Sequence, residues 1–242
     1  MEKNLLCFNK LILLSERIQS ERVDCTKLTL KKTWHDYYTK QEPSISLIRF
    51  ASTIIYHFVY FYAIMKRRPQ KILEVGCGRG IASIFLSYFV PSCIGIDVDS
   101  EMIEIAKIQK GKFHGKAKFR VMDGNRTSFK NDTFDIVYSQ GLLEHYSNEE
   151  MKNLLSEWLR LAPTCIISVP SIFYGRKDFG NERLLTAHEY KKILREFGFN
   201  ASYYGFSFEE KKLSFSNLLD VYKTFFPQNY SCQLLLIIER KN

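Results

Sequence analysis

The sequence predicts an α/β fold built on a doubly wound, mostly parallel sheet, and three observations carry that expectation. Short apolar runs at 71–75, 93–97, 117–121, 134–139 and 164–169 alternate with amphipathic segments at about 80–89, 100–110 and 148–161, a pattern that places helices on both faces of a parallel sheet. The first run leads directly into Gly76-Cys77-Gly78-Arg79-Gly80, followed by an apolar helical run from Ile81. The second run closes on Asp97, twenty-three residues after Glu74. Sheets of this kind bind ligands beyond the carboxyl ends of their strands. The loops after Val75, Asp97, Val121, Ser139 and Val169 are therefore expected to converge on one site.

In chain order, residues 1–69 read as a helical N-terminal cap and residues 70–242 as the main domain. The cap holds two helical candidates, 5–18 and 44–66, the second opened by Pro43-Ser44. Between them lies the polar-aromatic segment Trp34-His35-Asp36-Tyr37-Tyr38. Within residues 47–65, Leu47, Phe50, Ile54, Phe58, Phe61 and Met65 recur every three or four positions, as on an amphipathic helix. This is the one stretch long enough to raise a membrane span, but Arg49, Ser52, Thr53 and His57 interrupt it. A packed helix is expected, with membrane-surface contact through Lys66, Arg67 and Arg68 as the alternative. Pro69 marks the domain boundary.

The glycine turn between strand and helix brings backbone N–H groups close to a bound ligand, and a Cβ there would block that approach. A dinucleotide fingerprint has two residues between its second and third glycines, whereas only Arg79 separates Gly78 from Gly80. That spacing disfavours a nicotinamide dehydrogenase. An acid some twenty residues beyond the turn is where such folds hold ribose hydroxyls, and one carboxylate can accept from two vicinal hydroxyls. Asp99 and Ser100 suit the cap of the next helix. The segment before Phe134 is too short for a full helix. Residues 170–185, with Tyr174, Arg176, Lys177 and Asp178, are too polar for a mere connector and are assigned to an acceptor pocket. Thr186 caps a helix over 187–197 that Gly198 stops. Two further strands follow at 201–207 and 232–239, separated by an insertion at 208–230.

Composition narrows the class. The chain of 242 residues, 45% apolar and 25% charged, suits one α/β domain with an added element. Six cysteines show no CxxC pairing and read as reduced, mostly buried thiols of a cytoplasmic protein. The segment 1–14 carries Glu2 and has no small-residue cleavage site, so a signal peptide is not expected. The net charge of +9 arises from lysine-rich solvated faces or marks an anionic partner. The densest basic segment, 107–120, lacks the interleaved aromatics of a single-strand groove.

The pattern Glu74-x-Gly76-x-Gly78-x-Gly80, with Asp97 at the end of the next strand, resembles motif I of the class I S-adenosylmethionine-dependent methyltransferases. The run Phe134-Asp135-Ile136-Val137-Tyr138-Ser139-Gln140-Gly141-Leu142-Leu143-Glu144-His145 is similar to motif IV and its continuation in the type 11 methyltransferases. The resemblance covers roughly residues 70–240. It implies a Rossmann-like seven-stranded sheet, five or so parallel strands plus a C-terminal antiparallel pair, and S-adenosyl-L-methionine as cofactor. It further implies that Glu74, Gly76, Cys77, Gly78 and Gly80 form the loop around the methionine portion. Asp97, with Val98, would take the ribose, Asp123-Gly124 the adenine amino group, and backbone carbonyls at Ser139 and Gln140 the ammonium group.

Absent motifs bound the chemistry. The Asn/Asp-Pro-Pro-Tyr/Phe segment of exocyclic-amine methylases is replaced here by Ser-Gln-Gly-Leu, no cysteine nucleophile follows the fourth strand, and no acids and histidines cluster at metal-ligand spacing. No metal site is expected. A sulfonium methyl is already activated, so alignment of the acceptor does most of the work. A base is needed only if the acceptor must lose a proton. Imidazole, ordinarily near pKa 6.5, suits that role, which makes His145 the first candidate and His35, beside Trp34 and Tyr38, the second, with Tyr38 as a further catalytic candidate. His35, Tyr37, Tyr174 and Arg176 are the expected substrate contacts, under a lid formed by the N-terminal cap. The leading acceptor class is a small molecule, aromatic or amphipathic. The alternatives are an RNA or protein methyltransferase, favoured by the charge, and a non-catalytic cofactor-binding regulator.

Overall fold

The sheet grows outward from β1 (Lys71–Val75), a strand whose last four residues are all buried. It pairs in parallel with β2 (Ser92–Asp97) on one side and β4 (Ile136–Gln140) on the other. β3 (Lys118–Val121) extends the β2 edge and β5 (Thr164–Pro170) the β4 edge, both parallel. β7 (Gln233–Glu239) then runs antiparallel to β5, and β6 (Asn200–Phe206) antiparallel to β7, giving the order β3-β2-β1-β4-β5-β7-β6. The doubly wound α/β sheet with its C-terminal antiparallel pair is therefore present, and β7 alone runs against the other six. This computed structural model describes residues 45–174, 177, 180–206 and 231–240. The expected helix at 5–18, the 34–38 segment with His35, Tyr37 and Tyr38, the side chain of Arg176 and the 208–230 insertion lie outside the described residues.

Each face of the sheet carries its own core, because successive strand residues point to opposite sides. On one face, Ile72, Tyr138 and Ile166 pack with α1 (Leu47–Tyr56), α2 (Phe58–Met65), α3 (Ile81–Leu86) and α4 (Ser100–Lys112) through residues such as Phe61, Ile64, Leu86 and Ile103. On the other, Leu73, Val75 and Val137 pack with α5 (Asn148–Leu161) and α6 (Ala187–Glu196) through Leu154, Trp158 and Leu194. From Met122 to Asp135, between β3 and β4, the chain has turns but no helix. Arg160 of α5 braces this loop, donating to the Phe129 carbonyl at 3.0 Å while pairing with Glu157 at 2.7 Å.

Local chemistry sets the helix ends. Asp99 Oδ1 accepts from the N–H groups of Glu101 and Met102 at 2.9 and 3.3 Å, which starts α4. Ser147 with Glu150, and Thr186 with Glu189, form reciprocal capping boxes on α5 and α6. Gly198, at φ +78°, turns the chain out of α6. Loss of a cap of this kind costs about 1 kcal/mol. Thr186→Ala is accordingly expected to lower the urea midpoint with an unchanged m-value, whereas the adjacent exposed His188→Ala is not. The helix expected over 80–89 stops at Leu86, where i→i+3 bonds such as Phe89 N–H to Leu86 O at 3.0 Å tighten the chain into turns.

The N-terminal region departs most from expectation. In place of the one helix expected over 44–66 stand two, Leu47–Tyr56 and Phe58–Met65, broken at His57 and bent by 71°. Val59, Tyr60, Phe61 and Ile64 are buried in the same core as Ile72 and Tyr138. The expected apolar stripe also splits, since Phe50 and Phe61 are buried while Leu47 and Phe58 face outward. Among the described residues no single helix is long and apolar enough to cross a membrane.

Candidate active site

The glycine turn after β1 is a hydrogen-bonded structure in its own right. Both Gly76 and Cys77 donate their N–H groups to Ile96 O of β2, at 2.9 and 3.0 Å, and Gly80 N–H closes the turn on Cys77 O at 2.8 Å. Gly76, Gly78 and Gly80 all have positive φ, at 70°, 48° and 76°, a region other residues enter only with strain. At Gly80 space adds to conformation, because a Cβ would lie 2.6 Å from the Phe119 ring. Cys77 turns its side chain into the core, where burial pushes the thiol well up, and its Sγ lies 3.9 Å from Gly78 O of the turn.

Asp97 binds this turn to β2. Its Oδ2 accepts from Gly78 N–H at 2.8 Å and its Oδ1 from Asp99 N–H at 3.0 Å. Burial raises its pKa, opposed by the hydrogen bonds from Asp99 and Gly78. A carboxylate offers about four lone-pair sites, so these two bonds leave room for a diol. Val98 follows with its side chain in solvent, as does Val121 at the end of β3. Asp123 Oδ1 accepts from Asn125 N–H at 2.8 Å and from its amide at 3.1 Å. At Gly124 a Cβ would meet Val75 Cγ1 at 2.3 Å, and the Gly124 carbonyl accepts from the indole of Trp158 at 3.1 Å.

Glu74 stands elsewhere than a cofactor-loop acid would suggest. It is buried, and its Oε2 accepts from Ser83 N–H at 3.0 Å and Ser83 Oγ at 2.6 Å. Ser83 Oγ in turn lies 2.9 Å from Tyr138 Oη. The carboxyl thus ties the end of β1 to α3, and burial pushes its pKa up to about 8. An acid whose folded pKa lies above its unfolded value stabilises most below the unfolded value and loses that contribution as pH rises through the folded one. Stability is expected to fall between about pH 5 and pH 8, at up to about 1.4 kcal/mol per pH unit for each such group. Glu144, also pushed to about 8 by burial, acts in the same direction. Melting temperature measured against pH should show this slope, and Glu74→Gln should flatten it.

Beyond β4, Ser139 is buried and donates Oγ–H to Val75 O at 2.8 Å, while the Gln140 amide donates to His57 Nε2 at 2.7 Å. The break between α1 and α2 is therefore pinned at the carboxyl end of β4. Burial lowers the His57 pKa to about 3, so its ring is neutral. Glu144 and His145 follow in a short 3-10 turn, Leu143–His145. His145 Nδ1–H donates to Asn181 Oδ1 at 2.6 Å, and its Nε2 lies 3.9 Å from Glu144 Oε1. Arg183 N–H donates to Glu144 O at 2.7 Å, and the Arg183 guanidinium to Tyr146 O at 2.5 Å. The loop after β5 is thus strapped across the loop after β4. Tyr174 lies in a second 3-10 turn, Ile172–Tyr174, at the same end of the sheet as His145.

The structure therefore brings Gly76, Gly78, Gly80, Asp97, Val98, Asp123, Gly124, Ser139, Gln140, His145 and Tyr174 to the carboxyl ends of adjacent strands. It turns Glu74 inward. Sequence reasoning missed Asn181 and Arg183, and also Tyr146, whose phenol is raised by burial and by the charges of Asp123, Glu150 and Asp97. The position of Tyr146 just after Leu-Glu-His is the one sequence signal that marks it.

A doubly wound sheet with a positive-φ glycine turn and a half-buried acid at the end of the next strand defines a nucleotide-cofactor domain of the Rossmann-like kind. Its family follows from comparison. Residues 72–163 match the model of a methyltransferase domain. A methyltransferase of Bacillus subtilis, YcgJ, is 31% identical over 34% of this chain and 33% of its own length. Phosphoethanolamine N-methyltransferase 3 of Arabidopsis thaliana is 30% identical over 54% of this chain and 29% of its own. The chain thus spans about a third of the length of these curated relatives. The fold matches the magnesium protoporphyrin IX methyltransferase of Synechocystis, crystallised with S-adenosylmethionine, at TM-score 0.59 and 18% identity, over 87% of this chain and 93% of that one. Residues 72–163 thus carry a methyltransferase domain that resembles the class I S-adenosylmethionine-dependent kind.

Proposed function

We propose that the chain transfers a methyl group from S-adenosylmethionine to a small-molecule acceptor by direct displacement, as a cytoplasmic enzyme. The observation that carries the cofactor assignment is Asp97, fixed by Gly78 and Asp99 with acceptor capacity to spare beside three positive-φ glycines. The residues fit the cofactor. Gly76, Cys77, Gly78 and Gly80 supply a backbone cradle to the methionine portion, and Asp97 accepts from the ribose hydroxyls. Asp123 takes the adenine amino group, with Val98 and Gly124 beside the ring, and the carbonyls of Ser139 and Gln140 face the ammonium group.

When bound, the cofactor supplies an electrophilic methyl on a positively charged leaving group. The chain's part is alignment and exclusion of water, which can supply on the order of 7–11 kcal/mol. Where the acceptor must lose a proton, His145 is the group to take it. Asn181 holds the proton on Nδ1 and so directs the Nε2 lone pair away from itself. Tyr38, His35, Tyr37 and Arg176 remain proposed acceptor contacts together with Tyr174.

A small-molecule acceptor is supported by the similarity to the Arabidopsis relative, a phosphoethanolamine N-methyltransferase. The net charge of +9 favours the second reading, methylation of RNA or protein. Incubation of the full chain with methyl-labelled cofactor and a panel of amino alcohols, phenols, RNA and protein decides between them. Label in the small-molecule fraction is expected. Label confined to RNA or protein overturns the acceptor class, and RNA binding with a steep salt dependence would accompany that outcome.

A further inference from the structure

The helix α2, FVYFYAIM, is apolar on every side, and Val59, Tyr60, Phe61, Ala63 and Ile64 are buried while Phe58 and Tyr62 are exposed. Phe58 is 52% exposed and Tyr62 43%, and on α1 Leu47 is 70% and Ile55 50% exposed. Positions 47 and 55 on α1, and 58 and 62 on α2, each follow the spacing of a helix face, and their exposed side chains make an outward apolar stripe on either side of the 71° bend. Its far end is basic. Lys66 and Arg68 are exposed, and the Lys66 ammonium lies 5.7 Å from the Tyr62 ring centroid. The stripe is flanked by the ring series Phe61, Phe85 and Phe89, with centroids 4.9 and 5.2 Å apart, which ends in an outward-facing Phe89.

An apolar stripe edged with cations suits an anionic lipid surface, where aromatic side chains enter the headgroup boundary and lysine or arginine meets the phosphates. The stripe lies along such a surface and does not cross it. Helices of ten and eight residues fall short of the roughly twenty that a span needs, and the inner side of α2 belongs to the protein core. A second copy is a poorer occupant, because a two-fold pairing brings Lys66, Arg67 and Arg68 of both copies to one interface, in a chain already at +9.

We propose that the outward face of α1 and α2 docks on anionic phospholipid, so that the acceptor is taken from the lipid surface. The second half of this rests on the methyltransferase reading. The bend at His57 meets Gln140 at the carboxyl end of β4, which ties the two helices to the rim of the site.

The test uses the full chain with vesicles of phosphatidylcholine alone or mixed equally with phosphatidylglycerol. Co-sedimentation is expected with the mixed vesicles and not with phosphatidylcholine alone. Phe58→Ser with Tyr62→Ser, and separately Lys66→Glu with Arg68→Glu, should each weaken it by about tenfold or more. Melting temperature and S-adenosylmethionine affinity, measured on the same samples, should stay at the parent values. Cofactor binding that fails while vesicle binding persists would remove the methyltransferase reading and leave the docking face standing. Three results overturn the face itself. The parent chain does not bind mixed vesicles; both variants bind as the parent does; or light scattering shows a dimer that Phe58→Ser with Tyr62→Ser dissolves, without vesicle binding.

Discussion

Trp158→Ala is expected to lower unfolding free energy by about 3–5 kcal/mol, the range for deleting a fully buried aromatic side chain. Trp158 is wholly buried, and it joins α5 to Leu73, Val75 and Val137 in the core on that face of the sheet. Its indole also donates to Gly124 O, so the truncation opens a cavity and releases the loop that carries Asp123. Trp158→Phe separates the two effects. It keeps most of the packing and loses a single hydrogen bond worth about 1 kcal/mol. Chemical denaturation checks both, with the alanine variant expected to show the larger drop in midpoint. Equal destabilisation by the two variants would mean that the hydrogen bond, not the packing, carries the effect.

Asp97→Ala should weaken S-adenosylmethionine binding by about 1.5–3 kcal/mol, roughly ten- to 150-fold, as expected for a lost hydrogen bond to a charged group. Two effects act together. The proposed acceptor for the ribose diol is removed, and Gly78 N–H and Asp99 N–H lose the oxygens that hold them. Asp97→Asn keeps one carbonyl oxygen and should fall between the parent and the alanine variant. Titration calorimetry on folded samples measures the difference. Unchanged affinity in the alanine variant would place the ribose elsewhere.

The alternation of strands and helices and the cofactor-side loops were legible because their signals are local. The Gly76–Gly80 spacing, the acid at the end of β2 and the caps at Asp99 and Thr186 each need only a few neighbouring residues. The break at His57 was not legible. No proline or glycine marks it, and an all-apolar helix such as α2 has no periodic stripe to read. The bond that pins it joins residues 83 apart in sequence. The same limit hid Asn181 and Arg183, which meet Glu144 and His145 only because β4 and β5 are neighbours. Glu74 was misplaced for a different reason. Its place in the motif sets its backbone beside the turn, while strand alternation sends its side chain into the face shared with Ser83 and Tyr138.

The central claim is that the glycine turn and Asp97 form an S-adenosylmethionine site and not a dinucleotide site. Calorimetric titration of the full chain with S-adenosylmethionine, its demethylated product and nicotinamide dinucleotides tests it directly. Dissociation constants on the order of micromolar, about −8 kcal/mol, are expected for the first two, with no heat from the dinucleotides. Saturable dinucleotide binding without S-adenosylmethionine binding would contradict the account.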